Sequence, residues 1–319
     1  MLPSTIPAQA EPARVVKRRS SQRRAGRTFY LYLIPALIAF TVIVFIPFGM
    51  NIYYSLLNWK GGLSIPTFVG LDNYVALLSD EVFWLSFRNV GAMILALVIV
   101  PTVIGVLIAA VLFDYVGREF GSRAASFFRA TYYLPQILPI AVAGIVWNWI
   151  LQADDGAVNV VLRGLGMTDP PNWLGTPEWA LPSIMLVLIW GQIGFPVVVF
   201  MGALQRVDPE LYEAAELDGA NWIARFKAIT IPQIRPEIFV VSLTATIGAL
   251  KVFGPIFVLT SGGPEGSTYV PSYYSYVAFF TLSRVGYGAA IANVLTLLTV
   301  VLAIFMIVWQ TRTARKDDE

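Results

Sequence analysis

Side chains that could carry out catalysis are scarce in this chain, and their scarcity limits the reactions open to it. The 319 residues include no histidine and no cysteine. This composition removes Ser–His and Cys–His nucleophile pairs, the commonest general base, the commonest zinc ligand and cysteine-ligated metals. The formal net charge of +2 is too small to indicate nucleic-acid binding. We therefore expect no catalytic residues, no metal site and no nucleic-acid partner.

One segment, residues 206–236, concentrates charged side chains at helical spacing. Asp208 followed by Pro209 is typical of an N-cap and the first helical position. Glu213 falls in the first turns, where the helix dipole favours negative charge. Gly219 is suited to ending that helix, because glycine tolerates the left-handed conformation that often follows a last turn. The segment thus begins with a short acidic helix.

A second short helix is predicted over residues 221–229, and it is expected to expose Trp222, Phe226 and Ile229 at apolar helical spacing. Two interpretations of this helix–turn–helix stay open from the residues alone. It is either a structured loop lying on a membrane surface or a surface that docks a partner protein. Small side chains such as Ala214 and Ala215 favour docking, because they allow another surface to approach closely.

Composition places the rest of the chain in a bilayer. Hydrophobic residues make up 57% and charged residues 13%, whereas soluble domains carry about 25% charged residues. A spanning helix needs about 20 predominantly apolar residues. Six runs of sufficient length are 29–59, 89–113, 130–153, 179–205, 238–264 and 285–311. We therefore predict an all-α integral membrane protein with six transmembrane helices.

The positions of lysine and arginine predict the orientation. With a cytoplasmic N-terminus, seventeen of them fall in cytoplasmic segments and four in outer loops, a strong positive-inside asymmetry. Both termini are therefore expected in the cytoplasm. The predicted organisation is a disordered basic tail (1–28), a membrane domain (29–311) and a charged tail (312–319).

Two stretches resemble a known family. Residues 213–236 read EAAELDGANWIARFKAITIPQIRP, which resembles the EAA loop of permease subunits in ATP-binding-cassette (ABC) importers. Residues 259–264 read LTSGGP and resemble a segment of the carbohydrate-uptake branch, of the maltose and glycerol-phosphate type. The resemblance extends over the chain from about Phe29 onward.

The resemblance implies a type I importer permease fold, also called MetI-like, with 206–236 as the loop that couples to an ATPase. By similarity, the residues that contact the ATPase are Glu213, Ala214, Ala215, Asp218 and Gly219. No Walker A motif occurs in the chain, so ATP and Mg²⁺ are expected on partner subunits and no cofactor on this chain. The expected activity is import of an oligosaccharide or related glycoside by alternating access.

The resemblance also implies an assembly in a prokaryotic plasma membrane. Its expected members are a second, related permease subunit as a heterodimer, two ATPase subunits and an extracytoplasmic substrate-binding protein, surrounded by membrane lipids. This chain would then be a transport subunit and not itself an enzyme.

Polar side chains within the apolar runs are candidates for a substrate path, because polar groups are costly in a membrane unless they face a cavity or another helix. They are Gln136, Asn148, Gln192, Thr244, Thr246, Lys251 and Asn293. The family resemblance favours Gln192, Gly194, Thr246 and Lys251, and Asn148 is a further candidate. Lys251 lies near the middle of its run, where it could meet substrate, pair with a partner chain or extend toward water. Packing between helices is the alternative role for each of these residues.

Two other functions compete with sugar import. The same machinery could import a polyol phosphate such as glycerol 3-phosphate, for which Lys251 would supply a positive charge. An ion-coupled secondary carrier is disfavoured, because that class usually uses intramembrane carboxylates and none of the six runs has an Asp or Glu near its middle.

Overall fold

A computed structural model describes residues 32–116 and 120–317 of the chain. The predicted basic tail (1–28) lies outside the described residues. The chain divides into two compact units, residues 1–51 and 52–319.

The described part of the first unit is helical and apolar. It belongs to helix α1, Tyr32–Ser55, which is long enough to cross a membrane. The helix contains a π-turn, Thr41–Phe45, in which the N–H of Ile46 donates to the carbonyl of Thr41. Pro47 follows directly, and since proline lacks an N–H and crowds the preceding turn, the wider turn accommodates it.

The second unit opens with a small ribbon and a long helix. Strands β1 (Leu57–Asn58) and β2 (Thr67–Phe68) pair antiparallel, with Leu57 opposite Phe68. Helix α2 (Asp72–Leu78) is short. Helix α3 (Glu81–Val111) is continued by a π-turn to Val116.

A bent pair of helices and a continuous pair follow α3. Helices α4 (Gly121–Ile137) and α5 (Ile140–Ile150) meet at a bend of 93°. After the short α6 (Ala157–Gly164), helices α7 (Pro177–Gln192) and α8 (Gly194–Leu204) together form one candidate span.

The remaining elements include the segment with the EAA pattern. Helix α9 is Pro209–Leu217, and α10 comprises Trp222–Arg225, a π-turn Phe226–Thr230 and Ile231–Gln233. Helices α11 (Arg235–Leu250), α12 (Gly254–Leu259), α13 (Pro271–Tyr276, then a π-turn to Thr281) and α14 (Val285–Asp317) complete the chain.

The structure differs from the predicted six continuous spans. Within the described ranges, four helices are long and apolar enough to cross a membrane, or five if the bent pair α4–α5 is one span. The predicted run 238–264 is broken between α11 and α12. Pro255 explains the break, since it cannot donate to the carbonyl of Lys251, four residues earlier, and its ring clashes with that carbonyl. Residues of the predicted charged tail continue α14 as helix to Asp317.

Helix α3 is the centre of the second unit and packs against α7, α8 and α11. Its contacts also identify two ends of this unit. Near its start, the side-chain amide of Asn89 donates to the carbonyls of Ser267 (2.7 Å) and Tyr269 (2.9 Å). Near its end, Asp114 accepts from Trp222 Nε1 at 2.9 Å. The loop after α12 therefore meets one end of α3, and the 206–236 segment meets the other.

Candidate functional site

Helix α9 begins and ends as its sequence predicts. Asp208 accepts a hydrogen bond from the N–H of Glu210 at 3.0 Å, and Pro209 occupies the first turn. At the other end Gly219 has a φ of +79°. The N–H of Ala220 donates to the carbonyl of Ala215 (2.9 Å), and that of Gly219 to Glu216 (3.0 Å), which together form a Schellman motif. Both ends of the helix are therefore fixed by local hydrogen bonds.

The inner face of α9 and α10 is attached to the end of α3. Tyr212 is buried, its hydroxyl lies 3.0 Å from Thr230 Oγ1, and its ring lies 6.3 Å from that of Phe113. The indole of Trp222 donates to Asp114 and stacks on Phe226, with ring centroids 5.0 Å apart. The apolar residues of the second helix, predicted as exposed, thus turn inward and are half-buried.

The outer face of α9 carries most of the predicted ATPase-contact residues. Glu213, Ala214, Asp218 and Gly219 are exposed, whereas Ala215 is half-buried. Next to them Leu217 is 90% exposed and adds an apolar side chain to this face. Within the described residues, an ion pair between Glu216 and Arg225 connects α9 to α10. The arrangement is a firmly attached helix with small, acidic and apolar groups facing outward.

A cavity of about 310 Å³ lies between α3, α4, the α7–α8 pair and α11. Its polar groups include Gln136, Gln192 and Thr244, and Phe195 supplies an aromatic wall. Amide groups with an aromatic wall suit a ligand with many hydroxyl groups, because amides both donate and accept hydrogen bonds. The structure therefore brings Gln192 together with Gln136 and Thr244, two other polar candidates from the apolar runs.

Three other predicted path residues do not line this cavity. Gly194 is buried, and a Cβ there would lie 2.3 Å from the carbonyl oxygen of Tyr132. Thr246 is buried and donates to the carbonyl of Ser242 at 2.8 Å. Asn148 donates to the carbonyl of Leu259 at 3.5 Å. Each of these contacts is one that packs helices or positions backbone.

Lys251 lies at the break between α11 and α12 and lines a different cavity, of about 550 Å³. Four hydroxyl residues share that cavity: Ser272, Ser275, Thr296 and Thr299. Each of the four donates to a backbone carbonyl, so its oxygen still has capacity to accept a hydrogen bond. The cavity combines one cation with several acceptors.

The LTSGGP stretch forms a tight turn instead of a lining for either cavity. Gly262 has a φ of +81°, and a Cβ there would lie 2.2 Å from the ring of Tyr269. The hydroxyl of Thr268, which is fully buried, donates to the carbonyl of Gly263 at 3.0 Å and lies 2.8 Å from the hydroxyl of Thr260. On the far side of the turn, the side-chain amide of Asn89 on α3 donates to the carbonyls of Ser267 and Tyr269.

A carboxylate that sequence reasoning missed joins α3 to α13 and α14. Asp80 caps α3 by accepting from the N–H groups of Val82 (2.9 Å) and Phe83 (3.2 Å), and its other oxygen accepts from the hydroxyls of Tyr274 and Tyr287. Burial by itself raises the pKa of Asp80, but these hydrogen bonds outweigh it and hold the pKa below its ordinary value of 3.8. The N-cap was readable from Asp80-Glu81, but the tyrosine partners, 194 and 207 residues away, were not.

Comparison with known proteins gives a consistent result. The profile of the family described as "Binding-protein-dependent transport system inner membrane component" matches residues 101–316. The diacetylchitobiose uptake system permease protein NgcF of Streptomyces coelicolor is 35% identical, over 86% of this chain and 80% of that one. The trehalose/maltose transport system permease protein MalF of Thermococcus litoralis is 32% identical, over 90% and 93%.

A solved structure is similar in fold. It is a bacterial ABC transporter involved in the import of the acidic polysaccharide alginate, and one of its chains superposes with a TM-score of 0.78 at 24% identity. The superposition covers 93% of this chain and 99% of that chain.

Proposed function

Because this chain belongs to the family of binding-protein-dependent transport system inner membrane components, we propose that it is a permease subunit of an ATP-driven sugar importer. The substrate is an oligosaccharide or related glycoside, passed into the cytoplasm by alternating access. The names of its relatives, which concern diacetylchitobiose and trehalose or maltose, support a carbohydrate.

The observation that carries the proposal is the attachment of α9 to the end of α3. Its inner face is held to the end of α3 through Tyr212 and Trp222, while Glu213, Ala214 and Asp218 face outward. A helix that transmits a rigid-body movement needs a stiff attachment on one side and a close, registered contact on the other. We assign the outward residues, together with Ala215 and Gly219, to docking on an ATPase subunit, and ATP hydrolysis to that subunit.

The sugar would pass the cavity lined by Gln136, Gln192 and Thr244. Gly194 supports this path indirectly, because it lets α8 approach α4 closely. Thr246 and Asn148 act through helix packing in this proposal, and Lys251 lines a second polar cavity.

The proposed assembly has six crossings, with both termini in the cytoplasm of a prokaryotic cell. The bent pair α4–α5 and the broken pair α11–α12 each supply one crossing, and four continuous spans supply the others. A second, related permease, two ATPases and a substrate-binding protein complete the importer. The positive-inside distribution of lysine and arginine supports this topology.

Uptake by the complete importer in proteoliposomes tests the proposal. We expect sugar uptake to require ATP and to survive a protonophore, whereas uptake that collapses with the proton gradient would contradict ATP coupling. Ala214→Trp should reduce co-purification of the ATPase and abolish uptake, because an indole cannot fit a surface shaped for a methyl group. Ala157→Trp, at an exposed residue of α6, is the matched control and should retain the ATPase.

A polyol phosphate is the second candidate substrate, favoured by Lys251 in its cavity of about 550 Å³. An ammonium group among hydroxyl oxygens suits a phosphate ester better than it suits a neutral sugar. Identifying the ligand of the substrate-binding protein separates the two candidates: a neutral glycoside supports the first, and an anionic polyol supports the second.

A further inference from the structure

Helix α2 has three faces of different chemistry. At about 100° per residue, Asn73, Tyr74 and Leu77 fall on one face, and they are the least exposed residues of the helix. Leu71, Val75 and Leu78 fall on a second face. Asp72, Ala76 and Ser79 fall on a third, and all three are exposed.

The first face fixes the rotation of the helix about its axis. The amide of Asn73 donates to the carbonyls of Ser55 (2.9 Å) and Leu57 (3.0 Å). The hydroxyl of Tyr74 lies 2.7 Å from Ser55 Oγ, and Leu77 is 2% exposed within an apolar cluster. The other two faces therefore have defined directions.

The second face is apolar and has no cover within the described residues. Leu71, Val75 and Leu78 are 65%, 63% and 68% exposed. In water this would be an unfavourable arrangement, because burying an aliphatic side chain away from water is favourable and these three stay exposed. The neighbouring loop adds Leu63 and Ile65, which are almost fully exposed.

The exposed flank of α3 is also apolar from Leu95 onward, after the exposed Arg88. An exposed aliphatic stripe runs along that helix at four-residue spacing, through Leu95, Ile99, Val103, Leu107 and Val111. At the start of α3, Trp84 is also exposed, and its indole N–H donates to the carbonyl of Leu78 at 3.0 Å. Tryptophan at this position is typical of the membrane–water interface, where the ring lies among acyl chains and its N–H finds a polar partner.

We propose that α2 is an interfacial helix that rests on lipid at the membrane surface where α3 begins. Its Leu71–Val75–Leu78 face lies against the acyl chains, and its Asp72–Ala76–Ser79 face lies toward water. The occupant of the apolar face is thus phospholipid. Such a contact fixes the depth of the start of α3 in the bilayer, because a short amphipathic helix is stable only with its apolar side in the acyl boundary and its polar side in water.

Single-cysteine labelling of the full chain tests this proposal, since the natural sequence has no cysteine. Val75→Cys and Ala76→Cys are neighbours on one helix that differ only in face, and each is labelled with a bimane fluorophore. The protein is placed in phosphatidylcholine nanodiscs whose acyl chains are brominated near the carbonyl end. We expect bromine to quench the label at Val75 at least about twofold more than the label at Ala76, and aqueous iodide to show the reverse order.

Two results would overturn the proposal. Strong iodide quenching and weak bromine quenching at Val75 would mean that the apolar face meets water. Protection of Val75 from both quenchers would mean that a protein surface, such as a second copy of the chain, covers it. Because the label measures contact directly, a loss of transport in either variant does not affect the interpretation.

Discussion

At the scale of single residues, Gly194 is explained by packing. It lies so close to α4 that a Cβ would meet the carbonyl oxygen of Tyr132 at 2.3 Å, and that oxygen belongs to backbone that cannot turn aside. We expect Gly194→Ala to destabilise the protein by about 1–3 kcal/mol, the usual cost of overpacking. The measurement is the thermal unfolding midpoint of the detergent-solubilised protein.

Gly191→Ala is the matched control, since a Cβ at Gly191 would have no atom within 4 Å. It should leave the midpoint unchanged or raise it slightly, because alanine favours helix over glycine. Equal midpoints for the two variants would show that α4 and α8 are not held as closely as the structure indicates.

Also at the scale of single residues, we expect the charge of Lys251 to affect transport. Its side chain lines the cavity of about 550 Å³, where hydroxyl oxygens can accept from an ammonium group or from a substrate. Lys251→Met keeps most of the length of the side chain and removes the charge, so we expect impaired uptake with normal assembly of the importer. Lys60→Met removes an exposed lysine near β1 and serves as the control. Unchanged uptake kinetics in Lys251→Met would contradict a role for Lys251 in transport.

At the scale of elements, Asp80 ties the start of α3 to α13 and α14. Asp80→Asn keeps an acceptor for the helix cap but weakens the bonds from Tyr274 and Tyr287, because a charged acceptor binds a donor more strongly than a neutral one. We expect a loss of about 1–3 kcal/mol in the free energy of unfolding at neutral pH.

The pH dependence has a definite sign. The pKa of Asp80 is lowered in the folded protein, so its stabilising contribution is complete above the ordinary value of 3.8 and is lost as the pH falls through the lowered value. The difference between wild type and Asp80→Asn should therefore shrink as the pH drops below 3.8. A difference that stays constant into strong acid would mean that the carboxylate charge does not stabilise this junction.

Local elements could be predicted from sequence better than the contacts between them. The caps of α9 follow from Asp208 and Gly219, because capping depends on residues within one turn. The attachment of α10 does not, since Trp222 finds Asp114, 108 positions away. For the same reason, spacing alone suggested that Trp222 and Phe226 are exposed, whereas both turn toward the end of α3.

At the scale of the whole molecule, counting long apolar runs predicted a membrane protein but overlooked a break in helix geometry. The run 238–264 satisfies a hydropathy criterion, yet Gly254-Pro255 divides it into α11 and α12. Hydropathy measures the cost of placing side chains in lipid, whereas proline acts on backbone hydrogen bonds. A broken helix within a membrane is acceptable where neighbouring protein surrounds it, and α12 packs against α5.

The number of crossings is the remaining property of the whole molecule, and the absence of cysteine makes it measurable. If α11 and α12 together cross the membrane, then Lys227 and Glu265, which flank the pair, lie on opposite sides. We expect an impermeant maleimide added to intact cells to label Glu265→Cys and to leave Lys227→Cys unmodified until the cells are opened. The same reagent should distinguish Asp154→Cys from Arg123→Cys across the bent pair α4–α5. Labelling of both members of either pair from outside would mean that the pair is re-entrant, and the six-crossing topology would then be wrong.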